Sequence, residues 1–231
     1  MKEVALTASD IADRLKQHSR ILYNNCTCRA IALWTLWQSF NDQNGPDHEV
    51  KLGSIYSAGA LNWLMQSALH ETIIIVTRAF DGYRKDVVRT DRVSFLVLEG
   101  LLQLPGVREE VVQRARSWLD GAYPEHHDEA VTKAMTNMLG SLDRLKNETP
   151  NRLTILRNYR DQFLAHNLVI DAQRDRPIFQ YVTDLLEELV TLTEQAELAF
   201  SGGEIAWDFY RREVTGSADA LWTAIRTGLK P

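Results

Sequence analysis

The sequence predicts an all-α fold built from long helices. Three features indicate it: apolar residues recur three and four positions apart along most of the chain, clusters of turn-forming residues separate these stretches, and the one run with strand propensity, residues 73–76, has no second strand nearby. With 231 residues, 45% of them apolar, the chain can bury a sizeable core without disulfides or metal ions. We therefore expect a single all-helical domain covering residues 1–231.

The N-terminal part of the chain is predicted to form two long helical segments. Ser9 is a suitable N-cap for a first helix, or a broken pair of helices, that reaches about Phe40. Residues 41–47 then form a loop rich in Asn, Asp, Gly and Pro. A second helix is predicted from about Ser54 to Phe80, where apolar residues again repeat at helical spacing, and Asp81-Gly82 ends it.

Prolines and glycines divide the rest of the chain into further helices. Leu104-Pro105-Gly106 is the clearest break, and Pro150 is a good first-turn residue for the helix that follows it. The predicted helices cover about residues 91–104, 107–120, 128–147, 150–167 and 178–200, followed by a short helix with Trp207 and Phe209 and a last one at about 218–227. No internal repeat, low-complexity tract or linker interrupts this series.

The composition argues against several functional classes. A net charge of -5 argues against a protein that coats nucleic acids non-specifically. Cys26 and Cys28 are separated by one residue, which suits neither a disulfide framework nor a zinc site. Residues 1–10 carry no apolar block of a secretion signal, and the longest apolar runs are far too short to span a membrane. We therefore expect a cytoplasmic protein without a membrane partner.

No group of side chains has the spacing of a metal site. The stretch most similar to a metal site is His126-His127-Asp128-Glu129. Adjacent residues on a helix, however, point about 100° apart and share a ligand sphere poorly. A loop with Asp128 near a helix N-terminus is the simpler interpretation. We therefore expect no metal ion and no cofactor.

The stretch from Pro150 to Ile170 is where the sequence indicates chemistry. On a helical wheel its apolar side chains fill one arc of about half the circumference, and polar side chains occupy the opposite arc. Arg160 and His166 break this pattern, because both fall inside the apolar arc. A buried guanidinium costs several kcal/mol unless it is paired, so Arg160 needs a carboxylate or an anionic ligand. Histidine is the residue type whose ordinary pKa lies closest to neutral pH, so an arginine beside a histidine such as His166 suits phosphate chemistry.

Structural roles explain the same residues without catalysis. Arg160 could form an internal ion pair, and a histidine on an apolar face is often a satisfied core residue. Arg157 and Asp161, four positions apart, could form a surface ion pair or belong to the site. Arg78 and Asp81 could likewise pair at the end of their helix or line a cleft.

The segment around Arg160 is net positive within an acidic chain. Between residues 152 and 176, five arginines stand against three aspartates, a surplus that suits an anionic substrate. The arginines are Arg152, Arg157, Arg160, Arg174 and Arg176, and the aspartates are Asp161, Asp171 and Asp175.

Two stretches of the chain resemble the HEPN superfamily. The first runs from Arg160 to His166: an arginine, then a polar residue, here Asp161, and a histidine four to six residues further on. Its surroundings are similar to the AbiU-like branch of that superfamily, which is linked to abortive phage infection. The second is the long helix that closes on Thr77-Arg78-Ala79-Phe80-Asp81. Together the two stretches place a motif-bearing core at about residues 50–200.

The resemblance implies both a fold and a chemistry. HEPN domains are antiparallel helical bundles, here with additional C-terminal helices, and they usually dimerise through the motif helices. Many are metal-independent endoribonucleases in which the RNA 2′-hydroxyl attacks the scissile phosphate. By this resemblance Arg160 would neutralise the phosphate, His166 would transfer a proton, and Asp161 would be the supporting polar residue. Arg157, Asn158 and Asn167 are the expected RNA contacts.

Three functional hypotheses follow. The first is an endoribonuclease of a phage-defence or toxin–antitoxin type, working as a homodimer on RNA, with an antitoxin protein as a candidate partner. The second is a catalytically inactive HEPN scaffold that binds RNA, a nucleotide or a partner protein. The third is a structural bundle with Arg160 in an internal ion pair. A cleft shared by Arg160 and His166 would favour the first hypothesis, and a buried carboxylate on Arg160 would favour the third.

Overall fold

Helices make up every regular element that the structure describes. The structure is a computed structural model, and it describes residues 6–43, 58–82, 92–118, 123–161 and 179–228. Its α-helices are α1 (Ala8–Ile21), α2 (Arg29–Gln43), α3 (Ala58–Arg78), α4 (Phe95–Leu102), α5 (Val107–Ala115), α6 (Pro124–Asn147), α7 (Arg152–Tyr159), α8 (Phe179–Ser201) and α9 (Trp207–Gly228). The predicted all-α fold class is confirmed. No helix within these ranges has both the length and the apolar character needed to cross a membrane.

The chain divides into two compact units, of which the first holds most of the helices. This first unit comprises Met1–Thr27 and Val76–Ile205, so it contains α1, the end of α3 and α4 to α8. Within it α6 packs along α8, and α1 packs against α4, α5 and α8. Its largest fully buried side chains are Leu15, Leu22, Phe80, Phe95, Leu98, Leu101, Leu102, Met138 and Leu142.

The second unit comprises Cys28–Ile75 and Ala206–Pro231, with α2, most of α3 and α9. Phe40, Met65 and Trp222 form its buried cluster, and the rings of Phe40 and Trp222 lie 5.3 Å apart between centroids. Partly buried apolar side chains surround this cluster: Leu36, Trp37, Leu61 and Ile225. At its edge Ser39 Oγ donates a 2.6 Å hydrogen bond to Asp219. The unit is thus held together by side chains from three helices.

A wide helical turn separates α1 from α2. Residues Leu22–Cys28 adopt a seven-residue π-helix, so the predicted break within the first helix is a change of winding and not a loop. Leu22 and Thr27 are fully buried there. The Thr27 hydroxyl lies 3.1 Å from the Leu22 carbonyl oxygen and 2.7 Å from the Thr193 hydroxyl of α8. Buried polar contacts therefore fix this segment against the first unit.

The start of α1 differs from the predicted one. Thr7 is the N-cap, and it forms a capping box in which its Oγ1 accepts from Asp10 N at 3.1 Å while its own N donates to Asp10 at 2.9 Å. The prediction that Ser9 caps this helix is wrong. Ser9 lies in the first turn, and its hydroxyl accepts a 2.7 Å hydrogen bond from Arg114.

Two helices are longer than the sequence pattern predicts. Helix α6 begins at Pro124 and not near Asp128, so His126 and His127 lie in helix and not in the predicted loop. The predicted division of the C-terminal segment into two helices is wrong, because α9 is continuous. Trp207, Ala218 and Trp222 are all buried at helical spacing on α9.

A left-handed glycine closes α8. Gly202 has φ +69°, and a Cβ at this position would lie 2.8 Å from the Trp118 ring. Its N–H donates to the Leu198 carbonyl at 3.2 Å, which satisfies one of the last carbonyls of the helix. Only glycine fits both the backbone conformation and the approach of the indole ring.

Candidate active site

The described part of the motif-bearing segment is α7 and the residues that follow it. Asn151 is the N-cap of α7, because its Oδ1 accepts a 2.7 Å hydrogen bond from Thr154 N. The buried face of the helix carries Leu153, Leu156 and Tyr159. Arg160 and Asp161 continue it in a wider turn. The predicted site residues His166 and Asn167 lie outside the described residues.

Arg160 is the most enclosed cation of this region, with a side chain only 16% exposed. Its Nη1 donates to both carboxylate oxygens of Asp81, at 3.0 and 3.1 Å, and to the Thr77 hydroxyl at 3.3 Å. Its Nε donates to Asp161 at 2.7 Å. Burial by itself lowers the pKa of Arg160, but the hydrogen bonds to Asp161 and Asp81 outweigh it and raise the pKa above its ordinary value. The partner that the sequence required for Arg160 is therefore a pair of carboxylates.

Arg157 lies one turn earlier and points to the same place. Its Nη2 donates to the Phe80 carbonyl oxygen, and its Nε lies 3.6 Å from Asp81 Oδ1. That distance is long for a hydrogen bond, and this buried Nε has no hydrogen-bond partner within the described residues. Burial lowers the pKa of Arg157, the negative charge of Asp81 opposes this, and the positive charge of Arg160 adds to it.

The surface ion pair considered for Arg157 and Asp161 does not form. Asp161 hydrogen-bonds to Arg160 instead, while Arg157 turns towards the end of α3. A backbone carbonyl and a carboxylate from the turn after α3 are stronger partners for a half-buried guanidinium than an exposed residue one turn away. Arg157 is thus part of the site through its contacts with α3.

Asp81 is the residue that sequence reasoning underestimated. It lies three residues after the end of α3, and its carboxylate contacts Arg157 and Arg160 of the motif segment. The Asp81 carbonyl accepts a 2.7 Å hydrogen bond from Ser94 Oγ, and the Ala79 carbonyl accepts one of 2.8 Å from Phe95 N. Of the two interpretations of Arg78 and Asp81, the helix-end pair does not form among the described residues, because Asp81 pairs with Arg160. The sequence signal that could have identified Asp81 is the resemblance of the Thr77–Asp81 stretch to the HEPN superfamily.

The local charge differs from what the sequence segment suggested. Arg152 pairs with Glu148 at 2.5 Å and with Asp184 at 3.1 Å. The described arginines of the motif segment therefore meet carboxylates from elsewhere in the chain: Asp81, Glu148 and Asp184, together with Asp161. The net positive charge expected for this part of the site is absent among these described residues. A count of charges within the segment does not include these partners, which lie just after α3, just after α6 and in α8.

The carboxylates that hold Arg160 are open to solvent although Arg160 is not. The Asp81 side chain is 39% exposed and that of Asp161 is 59% exposed. The structural hypothesis predicted a buried carboxylate, so these values do not favour it. Within the described part of the chain Arg160 Nη2 has no partner, which leaves it able to donate to an anionic oxygen. Asn158 is exposed on the same helix.

His127 and Asp128 of α6 have structural roles. His127 Nδ1 lies 3.1 Å from the Ala115 carbonyl oxygen, and Asp128 accepts hydrogen bonds from Arg116, the shortest at 2.7 Å. These contacts join the end of α5 to α6. Across the ranges that the structure describes, no group of three or more His, Cys, Asp or Glu residues could hold a metal ion.

Comparison with known proteins gives one match. A family model described as AbiU2, of the HEPN group, matches residues 11–221. No curated protein and no solved structure matches the chain. The matched range includes both the end of α3 and the segment from Arg160 to His166.

Proposed function

The chain belongs to the AbiU2 family of HEPN proteins, and from this premise we propose that it is a metal-independent endoribonuclease of a phage-defence or toxin–antitoxin type. Its helical bundle is of the HEPN type, as the sequence predicted. The observation that carries the proposal is the placement of Arg160. Its guanidinium is enclosed and oriented by neighbours that are themselves open to solvent, which suits a group that receives an anion from outside.

The proposed reaction is transfer within the RNA chain. The 2′-hydroxyl attacks the adjacent phosphorus, the bond to the 5′-oxygen breaks, and a 2′,3′-cyclic phosphate and a 5′-hydroxyl result. Arg160 Nη2 would donate to a non-bridging oxygen as negative charge builds there. His166 would take the proton of the 2′-hydroxyl or return one to the leaving oxygen. No step in this scheme requires a metal ion.

The other proposed site residues have distinct tasks. Asp161 would hold Arg160 through Nε, as its 2.7 Å contact suggests. Asn158, exposed on α7, and Asn167 would contact the RNA strand. Arg157 would add positive charge to the site while it anchors the end of α3.

A homodimer is part of the proposal. One helix surrounds a phosphate poorly, and a two-fold axis near the motif would bring a second Arg160 and His166 to the same cleft. The two guanidiniums would repel each other in an empty cleft, and an anion would relieve that repulsion.

A second candidate is a HEPN scaffold that binds RNA, a nucleotide or a partner protein without cleaving it. The contacts of Arg160 give this candidate its support, because Nε and Nη1 are already occupied by carboxylates. Such a site could bind a phosphate through Nη2 without carrying out chemistry on it.

Incubation with total cellular RNA separates the two candidates. Wild type is compared with His166→Ala and Arg160→Ala in excess EDTA, and cleaved ends are analysed for 2′,3′-cyclic phosphate. Arg144→Ala is the matched control, because it removes an arginine that is 64% exposed and pairs with Glu188. Cleavage by wild type and by the control alone supports the endoribonuclease. Binding of RNA by wild type, with no cyclic-phosphate ends produced, supports the scaffold.

A further inference from the structure

Asp81 is held in place by contacts that do not involve Arg160. Thr77 and Phe80, just before it, are fully buried in the first unit. Its own carbonyl is bonded to Ser94, and its N–H donates to the Arg78 carbonyl at 3.0 Å. The carboxylate therefore projects from a backbone fixed by the core, whereas the arginine opposite is a long side chain with many rotamers.

The contacts on Arg160 restrain its guanidinium plane at two of its three nitrogens. Asp161 accepts from Nε, and Asp81 together with Thr77 accepts from Nη1. Nη2 is the nitrogen without a partner in the described part of the chain. Restraints of this kind reduce the side-chain entropy that Arg160 would otherwise lose on binding a substrate.

The Asp81 carboxylate binds one nitrogen of the Arg160 guanidinium and does not bridge two of them. Both of its oxygens lie against one nitrogen, Nη1, at 3.0 and 3.1 Å. An anion that takes the place of a substrate phosphate would usually bridge two nitrogens of the guanidinium as a bidentate partner. The Thr77 hydroxyl, a neutral group, supports the same nitrogen.

Asp81 also lets two cations lie close together. Arg157 Nε is 3.6 Å from the same Oδ1 that Arg160 Nη1 contacts at 3.0 Å. Without the carboxylate the two guanidiniums would repel each other, and Arg160, the one with fewer backbone contacts, would move away. The direction of the Arg160 side chain thus depends on the charge of Asp81.

From these contacts we propose that Asp81 is the positioning residue of Arg160, directing Nη2 to a non-bridging phosphate oxygen. The inference rests on the proposed function for the identity of the substrate. It assigns Asp81 no contact with RNA and no proton transfer. Its effect on cleavage passes through Arg160 alone.

A double-mutant cycle tests this dependence. Asp81→Asn keeps the shape of the side chain and removes its charge. We expect it to lower kcat about 10- to 100-fold, the scale for displacement of a positioned group, and to cause no further loss in an Arg160→Ala background. Asp81→Glu, which keeps the charge, should recover part of the activity. Asp128→Asn is the control, since it removes a carboxylate bound to Arg116 elsewhere in the first unit.

A measurement that does not depend on RNA cleavage tests the positioning role separately from the proposed function. The Nε–H resonance of Arg160, identified by its loss in Arg160→Lys, should shift and exchange faster with water in Asp81→Asn but not in Asp128→Asn. If wild type cleaves no RNA, the proposed function fails while this resonance still decides the positioning role.

Three results would overturn the positioning role. The first is cleavage by Asp81→Asn at or above the wild-type rate, which would make Asp81 a competitor of the substrate or a bystander. The second is an equal loss with and without Arg160, which would indicate a general structural effect. The third is an unchanged Arg160 resonance in Asp81→Asn.

Discussion

The carboxylate of Asp81 and Nη1 of Arg160 lie 3.0 Å apart although 79 positions separate the two residues in the chain. The contact joins the end of α3 to the segment that follows α7, the two stretches that resemble the HEPN superfamily. It also makes Arg160 a cation held by solvent-open carboxylates.

Arg160→Ala and His166→Ala should each lower RNA cleavage at least about 100-fold, the usual scale for loss of an oxyanion partner or an acid–base group. Initial rates on a defined RNA measure the effect, and circular dichroism should show that both variants stay folded. Arg144→Ala should cleave like wild type. Cleavage that survives both site substitutions would mean that the active site lies elsewhere.

RNA cleavage should persist in excess EDTA. The proposed reaction uses Arg160 for the charge that a divalent ion supplies in metal-dependent nucleases. Rates are compared in EDTA and after addition of magnesium or manganese. A strict requirement for either ion would contradict the metal-independent mechanism itself, whichever residues form the active site.

Arg157→Ala should destabilise the protein by about 1–3 kcal/mol, the range for leaving a buried hydrogen-bonding group unsatisfied. The substitution removes the donor to the Phe80 carbonyl and a positive charge beside Asp81. Urea unfolding measures the free energy, with Arg144→Ala expected within about 0.5 kcal/mol of wild type as an exposed substitution. Equal stability of the two variants would show that the Phe80 contact contributes little.

Gly202→Ala and Gly203→Ala form a matched pair at the end of α8. Gly202→Ala should cost about 1–3 kcal/mol, because the added Cβ forces strain against Trp118 and a left-handed backbone. Gly203→Ala should cost far less, since no atom lies within 4 Å of its added Cβ. Thermal or urea unfolding compares them, and a similar cost for both would argue against the Trp118 contact.

The protein should form a two-fold dimer with the motif helices at or near the interface. Light scattering at micromolar concentration should give twice the mass of the chain, and specific activity should fall on dilution as shared sites separate. A monomer whose specific activity stays constant through every dilution would exclude a shared site.

The need of Arg160 for a partner could be predicted from the sequence, but the identity of that partner could not. Helical periodicity places residues relative to their own helix, and it was enough to put Arg160 on the apolar side. Asp81 reaches it only through the packing of the first unit, which local spacing does not encode. Of the two interpretations of Arg157 and Asp161, the surface ion pair does not form for the same reason, because the Phe80 carbonyl after α3 binds Arg157.

Helix ends and continuity were predicted less well than helix existence. Thr7 and Asp10 form the capping box of α1, a pattern present in the sequence that the choice of Ser9 overlooked. Helix α9 passes through Gly216 without a break, because burial of its aromatic face stabilises the helix more than one glycine destabilises it. The single domain over residues 1–231 stays a prediction.

The π-helix between α1 and α2 has a consequence for changes in chain length. A π-helical turn holds one residue more than an α-helical turn, so the chain can lose a residue there and stay helical. Removal of one residue within Leu22–Cys28 can therefore be absorbed by a return to α-helical winding. The same deletion inside α1 would rotate every later position of the helix by about 100° and turn Leu15 and Ser19 out of the core. Length variation among relatives should accordingly be concentrated in this seven-residue segment rather than in the helices that flank it.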